Sequence, residues 1–415
     1  MSNFIKFICL ILCLYSFTSN VLGQKNKIIV KKNYPYTLES TIVEIPLKTF
    51  CDETKVNPQK SFSIKDKDGN YIPWQIVPNY LNTESYLLVY DNSFENLEKE
   101  YIISSDDIGA GSNLKKTNCH LAERDNFELK DGLVFGGEFI TKGFTKIPGF
   151  HKPQNGFYQY EGIGWESDKV AYRLYLDSRN KIDIFGKIKN EIVLDNVGLY
   201  DYIPGKESYQ NMQDWGMDIY KVANTFGLAS FAIFDGEKIN VFSKTDSTTC
   251  NITDDGNIFS GFEINYYGVD VDKSKNDFKA AISITAGSRM SKVNISAKRK
   301  FENIVTGLAR HSDTKTIWSN KENSEWQYIG VYGKQSLAKD NLGTALFYKT
   351  IAAQKVDEDS VNETVVLKSY DNEVTYYFCA TWEQEPTGIK NITEFEKYLT
   401  EVLNKLNNPL QISYE

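Results

Sequence analysis

Between His151 and Arg173 the chain concentrates side chains that can move protons and hold an anion. They are His151, Tyr158, Tyr160, Glu161, Glu166, Asp168 and Arg173, in a stretch loosened by Gly162 and Gly164. Such an inventory serves two reactions at a sugar. Elimination beside a uronate needs a Tyr or His base, an acid for the leaving oxygen and a cation for the carboxylate. Hydrolysis needs two carboxylates about the glycosidic bond, and Glu166 with Glu383 is the pair on offer. The residue types fill both inventories, and sequence alone does not say which of them converge.

Strand alternation refines the picture. Over 170–177, Val170, Tyr172, Leu174 and Leu176 share an apolar face, while Ala171, Arg173, Tyr175 and Asp177 share the other. A second face of that kind is either solvated or lines a cleft. Along 326–334, Trp326, Tyr328, Gly330, Tyr332 and Lys334 fall on one side. That row suits a platform for pyranose C–H faces, and equally an aromatic core between two sheets. Asp214-Trp215-Gly216-Met217-Asp218 and Trp382-Glu383-Gln384-Glu385 repeat the pairing of Trp with carboxylate. The expected catalytic candidates are therefore His151, Tyr158, Tyr160, Glu161, Glu166, Asp168 and Glu383. The expected substrate-binding candidates are Trp165, Arg173, Asp214, Trp215, Trp326, Tyr328, Lys334 and Trp382.

Other chemistries find no purchase. The sequence holds no Gly-x-Ser-x-Gly elbow, no phosphate-cradling loop and no His-Glu-x-x-His. With only three His, no metal site and no cofactor are expected. A formal net charge of −8 argues against nucleic acid, which needs a basic surface.

The elements that position these residues read as strands. The 415 residues include 26 Tyr and 24 Phe against 4 Met, and aromatic rings favour a pleated surface. Lys6 followed by the apolar run 7–15 and Val21-Leu22-Gly23 reads as a signal peptide over 1–23. The mature chain is expected to start at Gln24 and to be periplasmic or extracellular, and no later run is long enough to span a membrane. Residues 24–118 read as a small β-sandwich module ending in a Gly/Ser linker at 106–118. Residues 119–415 read as one large β-rich domain with a C-terminal helix. Thr393-Glu394-Phe395-Glu396 is a capping-box pattern, and Phe395, Tyr398, Leu399, Val402, Leu403 and Leu406 follow helical spacing. The mature Cys51, Cys119, Cys250 and Cys379 are either buried thiols or disulfides, with no pairing selected.

Longer strings carry a resemblance. Tyr160-Glu161-Gly162-x-Gly164-Trp165-Glu166-Ser167-Asp168-Lys169-Val170 is similar to the hallmark of the family called domain of unknown function 4861. So are Asp214-Trp215-Gly216-Met217-Asp218 with Lys221-Val222, and Gly333-Lys334-Gln335-Ser336-Leu337-Ala338 with Asp340-Asn341-Leu342-Gly343. Trp382-Glu383-Gln384-Glu385-Pro386 with Gly388-Ile389-Lys390 completes the set, and Tyr220 departs from it where an aliphatic residue is expected. The resemblance implies an exported protein of Bacteroidetes-type bacteria, of a kind often encoded among polysaccharide-degradation genes. It implies an all-β fold with an antiparallel, galactose-mutarotase-like supersandwich, and a carbohydrate as substrate. It carries over no catalytic residues. The expected activity is lyase-type β-elimination on a uronate-containing glycan, with hydrolysis by paired carboxylates or glycan binding without turnover as alternatives.

Overall fold

The computed structural model describes residues 25–415, apart from 39, 79–83, 105–114, 200–207, 237, 272–273, 320–323 and 356–360. The expected signal peptide and most of the expected linker lie outside the described residues. Among the described residues the architecture is all-β with two α-helices, one of them C-terminal, as the strand patterns and the resemblance led one to expect.

Three antiparallel sheets build the large unit. A six-stranded sheet runs in the order Glu138–Thr141, Thr117–Asp125, Tyr158–Ser167, Ala171–Tyr175, Ile182–Lys187, Gly216–Asp218. A nine-stranded sheet faces it, with Ser247–Asp255, Phe259–Val271, Ser274–Thr285, Met290–Ala297 and Glu373–Trp382 among its strands. A five-stranded sheet centred on Asn303–Ala309 closes the same core. Alternation explains the layering. Ile163, Trp165, Tyr172, Leu174, Ile182 and Ile184 point inward from the first sheet to meet Phe262, Ile264, Ile282 and Phe378. Two apolar faces thus bury each other, which is what a half-apolar strand demands.

The N-terminal residues form two smaller sheets. Thr41–Pro46, Trp74–Val77 and Tyr86–Asp91 make one, and Lys27–Lys31, Ser63–Asp66 and Glu98–Ser104 belong to the other. Two features there differ from the sequence expectation. A short helix, Leu47–Thr54, follows the second strand. The chain's last strand, Gln411–Tyr414, leaves the large unit and pairs with Lys27–Lys31. Leu410, Ile412 and Tyr414 then pack on the N-terminal core, and the pairing satisfies an otherwise open strand edge.

The C-terminal helix spans Ile392–Asn407, starting earlier than the Thr393 pattern implies. Asn391 is the N-cap: its side chain accepts from Glu394 N at 3.0 Å and donates to Glu394 at 2.7 Å. Asn ranks above Thr as an N-cap, and capping from Asn391 places Thr393 inside the first turn. The buried Phe395, Leu399, Val402 and Leu403 dock on Trp326, Tyr328, Tyr332, Ala345 and Phe347. A Cβ at Gly330 would come within 2.7 Å of Leu399 Cδ1, so the glycine lets the helix sit close. Truncating Phe395 to Ala should cost about 3–5 kcal/mol, read as a lowered urea midpoint at unchanged m. Among the described residues Cys51, Cys119, Cys250 and Cys379 are free thiols, with Cys51 partly exposed and the other three buried.

Candidate functional site

The strand Tyr158–Ser167 is where the six-stranded sheet departs from regularity. Tyr158 pairs with Glu123 and Ile163 with Leu121, so the strand carries extra residues against its neighbour. Tyr160 and Glu161 take positive φ of 39° and 70° to make this bulge. Gly162 permits it: a Cβ there would sit 1.9 Å from the Leu174 carbonyl oxygen. Left-handed non-glycine residues are strained and collect where a site over-determines them. Gln154 and Asn180, on the loop and turn beside the bulge, are left-handed too.

Glu161 ties these pieces together. One of its carboxylate oxygens accepts from Gln154 N at 2.8 Å and from Arg179 Nη2 at 2.7 Å. Arg179 also grips Asp177 and lies 3.7 Å above the Tyr175 ring. The loop so anchored carries His151. Its Nδ1 lies 2.9 Å from Asn155 Oδ1. Asn155 Nδ2 donates to Phe150 O, and its Oδ1 also accepts from Phe157 N. The amide oxygen therefore faces the imidazole, so Nδ1 is the donor and Nε2 keeps a bare lone pair. That Nε2 is buried without a partner. Burial first, against the pull of Asp177, lowers the His151 pKa and favours the neutral ring.

Tyr158 stands edge-on to His151, ring centroids 4.8 Å apart. Its hydroxyl is 2.9 Å from Thr145 Oγ1, which itself donates to Glu123 at 3.0 Å. The phenol thus donates, and burial pushes its pKa up. A neutral base and a protonated acid sit side by side, their environments pushing them apart as acid–base work requires.

Behind the rim lies an ionic cluster that alternation half-revealed. Arg173 and its register partner Asp183 share the second face of the sheet. That face is neither solvated nor an open cleft: Val193, Leu194, Val197, Tyr209 and Trp215 cover it. Arg173 Nη2 reaches Asp183 at 2.6 Å, Asp218 at 2.7 Å and Tyr175 Oη at 2.9 Å, and its Nη1 reaches Tyr209 Oη at 2.9 Å. Tyr175 donates to Asp183 at 2.5 Å. Burial, then the nearby Asp183, raises the Asp218 pKa to about 8. The unfolded carboxyl titrates near 3.8, so between these values the folded chain holds the extra proton. This contribution to stability is full below the lower value and is lost as pH rises toward the upper one. Asp218→Asn should flatten that decline, measured as urea midpoints from about pH 4 to about pH 8.

The remaining expected residues do other work. Glu166 and Lys187 form a wholly buried pair at 2.8 Å, and Glu166 also accepts from Leu194 N at 2.8 Å, so it holds the covering segment rather than facing a substrate. Tyr160 is buried with its hydroxyl on His120 O. Asp168 pins a hairpin by bonding Lys116 and Gly287 N. Glu383 accepts twice from Asn341, and Asp214 is exposed beside Lys189. Trp215 is half-buried, edge-on to Phe185, and Lys334 is exposed on a turn. The stacking platform is not there: Trp165 and Trp382 are 0% exposed, Trp326 and Tyr328 7%. Trp165 lies between the sheets and donates to Ser291 Oγ, Trp382 donates to Asp340, and the C-terminal helix covers Trp326 and Tyr328. The structure thus brings His151, Tyr158 and Glu161 together, sets Arg173 in the covered ionic cluster, and disperses the rest. Asn155, Tyr175, Asp177, Arg179, Asp183, Tyr209 and Asp218 went unremarked as site residues, although strand parity already placed Asp183 beside Arg173. Among the described residues no group of His, Cys, Asp and Glu could hold a metal ion.

Comparison with known proteins now adds what geometry does not. Residues 30–412 match the model of the family described as Domain of unknown function (DUF4861). The chain belongs to this family. A curated relative, Uncharacterized protein P7 of Formosa agariphila, is 25% identical over 275 residues, covering 60% of this chain and 66% of its own. Among solved structures, an alpha-mannosidase from Enterococcus faecalis V583 aligns over 95% of this chain and 46% of its own, at 9% identity and TM-score 0.46. A glycosyl hydrolase family 38 protein from Enterococcus faecalis aligns over 95% and 48%, at 8% identity and TM-score 0.43. This DUF4861 chain therefore spans about half the length of those structures. No helix among its described residues is long and apolar enough to cross a membrane.

Proposed function

We propose that the protein is a carbohydrate-active enzyme that cleaves a uronate-containing polysaccharide or oligosaccharide by lyase-type β-elimination. The observation that carries this reading is the neutral, Asn155-oriented His151 with its Nε2 lone pair unpartnered beside the protonated Tyr158. Tyr158 is 0% exposed and Nε2 is buried, so in this reaction the loop carrying His151 lifts to admit the substrate, and Nε2 then takes the proton from the carbon next to the uronate carboxylate. The electron pair forms the ring double bond, the glycosidic C–O bond breaks, and the leaving oxygen takes a proton from the Tyr158 phenol. Arg179, a quarter exposed, is the cation of this region, and because Glu161 and Asp177 already hold it a substrate carboxylate has to displace one of them to reach it. Export to the periplasm or the exterior, expected from the leader, fits a polymeric substrate.

A second reading has its own observation. Asp183 and Asp218 both contact Arg173 Nη2, and Asp218 keeps its proton at neutral pH. One protonated and one paired carboxylate is the inventory of a glycoside hydrolase, and for it to act the covering Val193, Leu194, Val197, Tyr209 and Trp215 have to lift away. Incubation with pectic, ulvan-type and alginate-type polymers separates the two. Elimination yields the ultraviolet absorbance of an unsaturated uronate. Reducing ends without that absorbance assign the hydrolase. Retention of a polymer with no product of either kind leaves a glycan-binding protein.

A further inference from the structure

The loop between the strands Phe144–Lys146 and Tyr158–Ser167 carries His151, and few bonds tie it down. Its ends are fixed: Ile147 N donates to Thr248 O, and Val134 N donates to Asn155 O. Between them, residues 148–154 bond mainly to one another and to Asn155. Among the described residues, two hydrogen bonds leave this stretch for the body of the protein. The exposed Lys152 Nζ donates to Asp131 O at 3.4 Å, and Gln154 N donates to Glu161 at 2.8 Å. The second is shorter and ends on a charged group, which makes it the stronger. Phe150 adds ring contacts with Phe127 and Phe157. One carboxylate is therefore the main polar tie that keeps the loop, and His151 with it, against Tyr158.

The same Glu161 oxygen accepts from Arg179 Nη2 at 2.7 Å, and the two holders of Arg179 differ. Asp177 takes the Nε–Nη2 side of the guanidinium with both oxygens and also accepts from Arg179 N. Its side chain is 0% exposed. Glu161 makes one bond, from Nη2, and is 10% exposed. Arg179 Nη1 makes no hydrogen bond to a described residue. The donors of a guanidinium are fixed in one plane, so an incoming carboxylate takes them in pairs. The pair on offer is Nη1 together with the Nη2 hydrogen that Glu161 uses. Glu161, not Asp177, is thus the group that a second carboxylate displaces. Asp177, Glu161 and Arg179 all act on the charge of His151, so this exchange takes place close to the imidazole.

We infer that Glu161 stands in for the carboxylate of an acidic sugar, and that a uronate bound at Arg179 unlatches the loop over the His151–Tyr158 pair. The inference rests on the lyase reading above and names what opens that site. The uronate takes Nη1 and Nη2 of Arg179, Glu161 swings away, and Gln154 N loses its acceptor. Loop 148–154, carrying His151, then lifts. Glu161 and Gln154 are both left-handed, with φ of 70° and 59°. Strain of that kind persists only while neighbours impose it, so losing the shared bond favours release. A neutral sugar has no group that competes for a guanidinium, and it leaves the latch closed.

Hydrogen exchange of the full chain, read by mass spectrometry over the peptide holding residues 149–157, tests this. The probes, in excess, are oligouronates cut from pectic, ulvan-type and alginate-type polymers, each beside its carboxyl-reduced copy. The acidic probe that fits is expected to speed exchange of that peptide about tenfold, a local opening. Its reduced copy should leave exchange unchanged. Glu161→Gln keeps an acceptor for Gln154 N but no charge for Arg179. It should tighten the apparent Kd of the same probe about tenfold, because no built-in carboxylate competes. Arg179→Gln should abolish the response. Exchange unmoved by every acidic probe overturns the inference, and so does an equal response to a reduced copy. Unaltered or weaker affinity in Glu161→Gln, at a circular dichroism spectrum matching the parent, overturns it as well. Acid-specific opening without unsaturated product sinks the cleavage reading and leaves the latch standing. Unsaturated product with an unmoved loop peptide does the reverse.

Discussion

Replacing His151 with Ala is expected to lower turnover of the responsive polymer by about a hundredfold to ten-thousandfold, the usual contribution of a positioned general base. The fold should persist, since the ring sits half-buried in a loop and its one bonded partner is Asn155. Asn155→Ala should give a smaller loss, because the imidazole survives but loses the bond that keeps Nε2 bare. The pH profile is the sharper readout. A base whose pKa is depressed below the ordinary 6.5 stays active in mildly acid solution and fails only as pH falls through the lowered value. Stopped assays of the unsaturated product across that range check the claim. Wild-type turnover in His151→Ala would end it.

Lys187→Ala should damage stability as much as truncating a large core side chain. The Lys187 and Glu166 side chains are both 0% exposed. Removing the ammonium leaves a carboxylate inside the protein with no counter-charge, at about 3–5 kcal/mol. The ammonium also donates to the carbonyls of Ser167 and Glu191, so two acceptors are orphaned with it. Glu166→Gln should be milder, because an amide oxygen can still accept from Leu194 N. Urea unfolding of the three proteins at one pH orders them. Equal midpoints for Lys187→Ala and the parent would mean the pair contributes nothing.

What the sequence made legible was whatever depended on near neighbours. Alternation over 170–176 gave the correct inward face of the central strand. Crowding of His151, Tyr158 and Glu161 pointed to the candidate site because a single bulge and the loop before it bring them together. The misreadings were long-range. Parity says that Trp326 and Tyr328 share a side, but nothing in those residues says whether that side is covered. The cover was the C-terminal helix, whose apolar stripe was plain and whose docking face was not. Arg173 was likewise read as exposed or cleft-lining until the crossing segment Val193–Val197 was seen to lie on it. From Asp214-Trp215-Gly216-Met217-Asp218 the expectation took Asp214 and Trp215 and passed over Asp218, because only Arg173, far upstream, makes it a buried acid.

The strand Gln411–Tyr414, hydrogen-bonded along Lys27–Lys31, sets an order of events. A growing polypeptide cannot complete its first sheet until its final residues have been synthesised, so the earliest module is among the last to settle. Contacts of such extreme sequence separation slow folding and leave a raw edge open to wrong partners in the interval. The same adjacency means that Lys27 and Glu415, bonded to each other through their backbones, could be joined by a short linker and the chain reopened at an exposed turn elsewhere. Such a circular permutant would pair its outermost strands at once.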